Sequence, residues 1–235
     1  MMSITAWFTD PAQWAGADSI PVQIGWHMLY SVIAMAIAFI IAFPLGVYIG
    51  HTGKGESVIV GIANAFRALP TLGLLIFMVL ILAPRFSSRL AFVIPAMIVL
   101  IILAIPPILN GTRQGIRSID QSVIDAARGM GLDQRQMIFQ LEIPCAAPLI
   151  VSGLRSATLQ VVSTASVAAY VSLNGLGRYI IDGRAANDYA QMAGGAILMA
   201  VLAIVVDLLI SWGGNRTVSP GLTRRVRARK LHSAV

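Results

Sequence analysis

The chain has 235 residues, of which 57% are hydrophobic and 11% charged, and its mean hydropathy is +0.80. A water-soluble domain of this size rarely tolerates such a balance, so lipid is the solvent for much of the surface. The net charge of +7 is scattered between and after apolar runs, which argues against a nucleic-acid surface, and the single cysteine, Cys145, excludes an internal disulfide framework or a multi-cysteine metal site.

Residues 1–27 read as an interfacial segment, with the rings of Trp7, Phe8 and Trp14 at headgroup depth. The first twenty residues contain no Lys or Arg, so the basic start of a signal peptide is missing and this segment is expected to stay on the mature protein. Five uncharged stretches then approach the roughly 20 residues that cross a bilayer as helix: Met28 to Gly50, Ala68 to Pro84, Leu90 to Asn110, Ser156 to Leu173 and Tyr189 to Val206. They make 28–212 a membrane-spanning unit and 213–235 a basic tail, whose cluster from Arg224 to Lys230 suits anionic lipid. His27 and His51 have no metal-ligand spacing and read as interfacial residues.

Basic residues fix the expected orientation. With the amino terminus outside, inner segments hold Lys54, Arg113, Arg117, Arg128, Arg135, Arg216, Arg224, Arg225, Arg227, Arg229 and Lys230, whereas outer segments hold only Arg85, Arg89, Arg178 and Arg184. Cytoplasmic loops carry the excess, so the carboxyl terminus is expected inside.

Residues 111–147 form a hydrophilic insertion longer than a membrane hairpin needs. Pro106 and Pro107 are expected to end the third span before it. Ser122 with Asp125 fits a capping pattern, Gly129 and Gly131 interrupt the helix, and Asp133 with Gln136 starts another that Pro144 closes. Two short helices with a glycine elbow result. Periodicity leaves two uses open: an amphipathic surface on the inner leaflet, or a docking element gripped by another protein.

The spacing within this loop is informative. Asp125-Ala126-Ala127, three residues, Gly131, nine residues, then Leu141-Glu142-Ile143-Pro144 resembles the EAA loop of ABC importer permeases, with Asp for Glu at the first position and Leu and Ile exchanged near the end. His27, Pro44-Leu45-Gly46, Leu69-Pro70-Thr71, Ile105-Pro106-Pro107-Ile108, Gly153-Leu154-Arg155, Gln160, Ala168-Ala169-Tyr170, Gly175-Leu176-Gly177 and Asp207 are similar to osmoprotectant permeases in particular. The resemblance implies an all-α, MetI-like membrane domain in the bacterial cytoplasmic membrane. It would work as a pair of permeases, identical or paralogous, on two copies of an ATP-binding subunit, fed by an extracytoplasmic solute-binding protein. The solute would be glycine betaine, choline, carnitine or proline betaine. ATP and Mg would then belong to the partner, and this chain would carry no cofactor and no enzymatic activity of its own. Gly53-Lys54, its only Gly-Lys pair, lacks the flanking residues of a P-loop. A methionine-type amino-acid importer is the alternative; a secondary transporter would call for inverted repeats and mid-span carboxylates, neither evident here.

Several polar residues in the spans are candidates for the path or its gate. Arg67, Arg155 and Asp207 are expected at the cytoplasmic ends of their spans, either snorkelling to the interface or forming an ion pair that closes the inner mouth. Ser152, Ser156, Gln160, Ser163 and Thr164 recur at helical spacing, which serves either helix packing or a hydrophilic path. Tyr170 completes the set. The aromatics considered for a cation cage, Tyr30, Phe39, Tyr170 and Trp212, are spaced too far apart to define one.

Overall fold

A computed structural model describes residues 3–171 and 173–217, apart from the side chains of Arg67 and of residues 215–217. Among the described residues the regular structure is helical throughout. After the short helix α1 (Ile4–Thr9) and a 3₁₀ turn come α2 (Ile20–Thr52), α3 (Glu56–Ala68), α4 (Thr71–Leu82) and α5 (Leu90–Arg117). Then follow α6 (Gln121–Gly129), α7 (Gln134–Gln136), α8 (Ile143–Ala165), α9 (Gly177–Ala185) and α10 (Tyr189–Thr217). Among the described residues four helical rods are long and apolar enough to cross a membrane, and the bent pair α3–α4 makes a fifth crossing if counted as one span.

The span boundaries differ from those read in the sequence, each for a physical reason. α2 starts at Ile20, eight residues before Met28, because Pro21 sits in its first turn, where a proline costs no hydrogen bond. The second expected span is broken: α3 and α4 meet at 92° across Leu69 and Pro70, and α4 has only 12 residues, or about 18 Å of rise. Pro106 and Pro107 do not end the third span, since α5 continues to Arg117 with packed neighbours on two sides. Pro144 does not close a helix either. Met137–Glu142 is a π turn joining α7 to α8, and its wider bore accommodates the proline ring and missing N–H one turn later. The fourth span is thus one rod from Gln134 to Val171, its last turns 3₁₀. α10 takes in residues 213–217, and the basic cluster from Arg224 to Lys230 lies outside the described residues.

The core is the trio α2, α5 and α8. Small residues carry the contact: Ala34, Ala38 and Ala42 of α2 and Ala157 of α8 are fully buried. Without a hydrophobic driving force between helices in lipid, close backbone approach through small residues supplies the packing. The crossing of α5 and α8 is the tightest example. A Cβ on Gly111 would lie 2.7 Å from the Gly153 Cα, and one on Gly153 would lie 2.7 Å from the Pro107 carbonyl oxygen. Outward faces of α2, α4 and α10 stay apolar and exposed, as Ile40, Leu80 and Leu208 illustrate.

A second cluster closes the end where α10 begins. Trp7 is 1% exposed, so it is a core residue and not a headgroup ring: it sits edge-on to Phe8 and Tyr179, and a Cβ on Gly194 would collide with it. Trp14 does remain exposed. The Tyr179 hydroxyl donates to the Asp18 carbonyl at 2.8 Å; burial, then the Asp18 charge, pushes the phenol up to about 12, so it stays a donor at neutral pH.

Candidate functional site

The elbow is built locally. Asp120, not Ser122, caps α6: its carboxylate accepts from the Ser122 N–H at 2.9 Å and from the Ser122 hydroxyl at 2.8 Å. Those bonds, the backbone one foremost, hold the Asp120 carboxyl below its usual value, so the cap persists at neutral pH and is lost only as pH falls through that lowered value. α6 ends at Gly129, and Gly131 turns the chain with φ +86°, a region that disfavours any side chain. Asp133 and Gln136 form a full capping box that restarts the helix.

Of the expected docking residues, Asp125, Ala126, Gly131 and Pro144 are exposed, Leu141 and Ile143 are half-buried, and Ala127 is buried. Asp125 accepts from Gln121 and lies 3.6 Å from Arg128. The elbow also presents Val123, Met130 and Phe139 to the outside, Met130 at 75% and Phe139 at 68% exposed. Large apolar side chains held out on a hydrophilic loop mark a surface for a protein or a membrane. Behind them, a cleft of about 850 Å³ separates the elbow from the end of α2, lined among others by Lys54, Arg117, Arg128 and Asp133.

Two side chains bridge that cleft. The His51 Nδ1–H lies 2.8 and 2.9 Å from the two oxygens of Glu142, which is only 4% exposed. The interfacial reading of His51 is therefore corrected: it holds the π turn below the elbow against α2. The available signal was Glu142 itself, a carboxylate in the apolar run from Met137 to Ile143 that needs a partner once buried. At the same end, Glu56 binds Arg113 and Arg117, fastening the start of α3 to α5.

His27 is corrected likewise. It is 1% exposed, and its Nε2–H donates at 2.9 Å to the Val162 carbonyl in the last turn of α8, where the rod passes into its 3₁₀ turns.

The path residues lie on α8 and beyond. Its inward face is Ile150, Gly153, Ala157 and Val161; away from it Ser152, Arg155, Ser156 and Ser163 are exposed, while Gln160 and Thr164 are half-buried at its margin, Thr164 lining a small gap with Leu75 of α4 and Val99 of α5, and Tyr170 is 51% exposed. Ser152, Ser156 and Ser163 are therefore not spent on packing within this chain. Arg155 and Asp207 form a two-pronged ion pair between α8 and α10. They lie well within these helices instead of at their ends, because α8 begins at Ile143 and α10 runs on to Thr217. Arg67 belongs to α3, and its side chain lies outside the described residues.

A protein-family model described as "Binding-protein-dependent transport system inner membrane component" matches residues 42–218, which take in the end of α2, all of α5 and α8, the elbow and α10. The chain belongs to this family. It is a multi-pass membrane permease, a transport subunit whose family works with an ATP-binding subunit and a substrate-binding protein. The permease is 30% identical over 198 residues to the choline transport system permease protein OpuBB of Bacillus subtilis, covering 84% of this chain and 88% of that one. It is 32% identical over 200 residues to the carnitine transport permease protein OpuCD of Listeria monocytogenes, covering 85% and 86%. It is 30% identical over 192 residues to the osmoprotectant import permease protein OsmY of Salmonella typhimurium, covering 81% and 78%. In fold it is similar to a chain of the inward-facing MetNI methionine ABC transporter, with a TM-score of 0.70 and 22% identity over 89% of this chain and 97% of that one. The MetI-like core expected from the sequence is thus the observed one.

Proposed function

We propose that this permease imports an osmoprotectant bearing a quaternary ammonium group. The observation that carries the reading is the shared cargo chemistry of its relatives, whose names specify choline, carnitine and glycine betaine, over more than 80% of the chain. Likeness to the methionine transporter, at 22% identity, speaks to fold alone. The test is reconstitution with the ATPase and binding protein: ATP-dependent uptake of labelled glycine betaine or choline is expected, and uptake of methionine with neither of them overturns the reading.

In this reading Asp125, Ala126, Gly131, Leu141, Ile143 and Pro144, with Ala127 packed beneath them, form the element that two ATPase copies grip, one per permease, with the amino terminus outside and the carboxyl terminus inside. ATP and Mg reside in that partner. What supports docking over a leaflet-bound helix is the outward placement of Met130 and Phe139 beside charged Arg128 and Asp125, which together suit a groove better than a bilayer plane. Gly131→Val tests it. No atom crowds a Cβ there, so the cost is the roughly 1–2 kcal/mol of a left-handed backbone, borne by the elbow alone. The variant should reach the membrane and bind solute-loaded receptor yet lose most ATP-driven uptake; wild-type uptake would count against the docking role.

Exposed Ser163 and half-buried Gln160, with Tyr170 beyond them and Thr164 backing them against α4 and α5, face the second permease copy across the solute path. The Arg155–Asp207 pair acts as its gate. Asp207→Asn and Arg155→Gln should each lower uptake severalfold, and the double variant should fall no further than the worse single one. Additive losses would mean that the two residues act independently.

A further inference from the structure

At the end of α2 opposite the elbow, Trp26 and Tyr30 are one turn apart, and their rings stack at 5.7 Å with an interplanar angle of 26°. Trp26 was absent from the aromatics weighed in the sequence, although i, i+4 spacing places the two rings on one helix face. The Arg89 guanidinium lies over the Trp26 ring, 4.9 Å from its centroid, within the range of a cation–π contact. It also lies beside the Tyr30 side chain. Asn174, its amide oxygen turned toward the pair, accepts from Trp26 Nε1 and from Arg89 Nη2 at 3.1 Å each.

Arg89 is exposed and Trp26 half-buried, with the buried Tyr30 ring stacked behind it, and among the described residues no carboxylate pairs with Arg89. A cation on a flexible stem thus rests on an aromatic face at a solvent-reachable position. A quaternary ammonium ion is attracted to the same face by the same quadrupole, and having no N–H donors it gives up no donated hydrogen bonds when it leaves water for a ring.

We propose that the Trp26–Tyr30 platform is a low-affinity site for the quaternary ammonium head of the solute, at the end of the bundle away from the ATPase, and that Arg89 is a displaceable cation that fills it when empty. The inference rests on the osmoprotectant reading. It adds a chemical distinction: once displaced, Arg89 can pair with the carboxylate of glycine betaine, whereas choline offers no carboxylate. For choline Arg89 is only a competitor; for glycine betaine it is competitor and partner together.

The test measures equilibrium binding of radiolabelled choline and glycine betaine to the permease–ATPase complex in lipid nanodiscs without binding protein. Arg89→Gln should tighten choline on the order of ten-fold, the size of a partly desolvated cation–π contact, and should leave glycine betaine unchanged or weaker. Trp26→Leu should abolish both, and Trp26→Phe, which keeps a ring, should lie between. Parallel shifts for the two solutes on Arg89→Gln would show a structural brace only, and undiminished binding in Trp26→Leu, or no saturable binding to wild type and Arg89→Gln, would overturn the site. Wild-type uptake alongside any of these results removes the site alone; absence of uptake of either solute removes the parent reading.

Discussion

Gly153→Leu is expected to abolish recovery of folded permease. The α5–α8 crossing leaves 2.7 Å between a built Cβ and the Pro107 carbonyl oxygen, and 3.0 Å to the Gly111 Cα. Both obstacles are backbone, so no side chain can rotate away. Overpacking a core costs typically about 1–3 kcal/mol, and a leucine against two main chains should reach or exceed the upper end. Separating the helices instead would give up the close backbone packing that holds this crossing together in lipid. Thermal unfolding in detergent, followed by size-exclusion chromatography, reads the effect. Gly153→Ala should lower Tm measurably, and Gly153→Leu should elute as aggregate; a leucine variant with the wild-type Tm would refute the close crossing.

The second large effect concerns His51 and Glu142. Glu142 is buried and His51 half-buried, and removing one partner of a hydrogen bond to a buried carboxylate costs on the order of 1–3 kcal/mol, because the other is left unsatisfied, whereas replacing both with apolar groups is often neutral. His51→Leu or Glu142→Ala should therefore lower the yield of folded permease sharply, and His51→Leu with Glu142→Met should restore it. Restored folding should not restore transport. With α2 no longer held to the π turn, nucleotide hydrolysis in the assembled complex should continue while solute uptake falls several-fold. If the double variant transports like wild type, the pair is a packing feature and carries no motion.

Both effects rest on contacts that the sequence conceals. Apolar runs show that spans exist, because their length is dictated by bilayer thickness, and the elbow was legible because Gly131, Asp133 and Gln136 act through local backbone geometry. Helix ends were not legible where proline was involved. Pro106, Pro107 and Pro144 act as breakers in an isolated helix, yet neighbouring helices and one π turn override them here. The partners of His27 and His51 were hidden for a different reason. Val162 is 135 residues from His27, and Glu142 is 91 from His51, so only the packed trio brings them together. Arg155 and Asp207 could be proposed as a pair from their common depth, but their place along the helices depended on where α8 begins. Tertiary packing decides such matters, and periodicity carries no record of it.

The rod from Gln134 to Val171 has a mechanical property set by its glycine. Gly153 lies almost midway along it and is the point of closest approach to α5, so it can serve as a fulcrum with arms of nearly equal length. A tilt imposed at the elbow would then reappear at the far end with similar size and opposite sense, where the Val162 carbonyl leans on His27. Spin-label distances from α2 to residue 139 and to residue 167 should change in opposite directions on nucleotide binding. Changes of the same sign would mean that the rod translates instead of rocking.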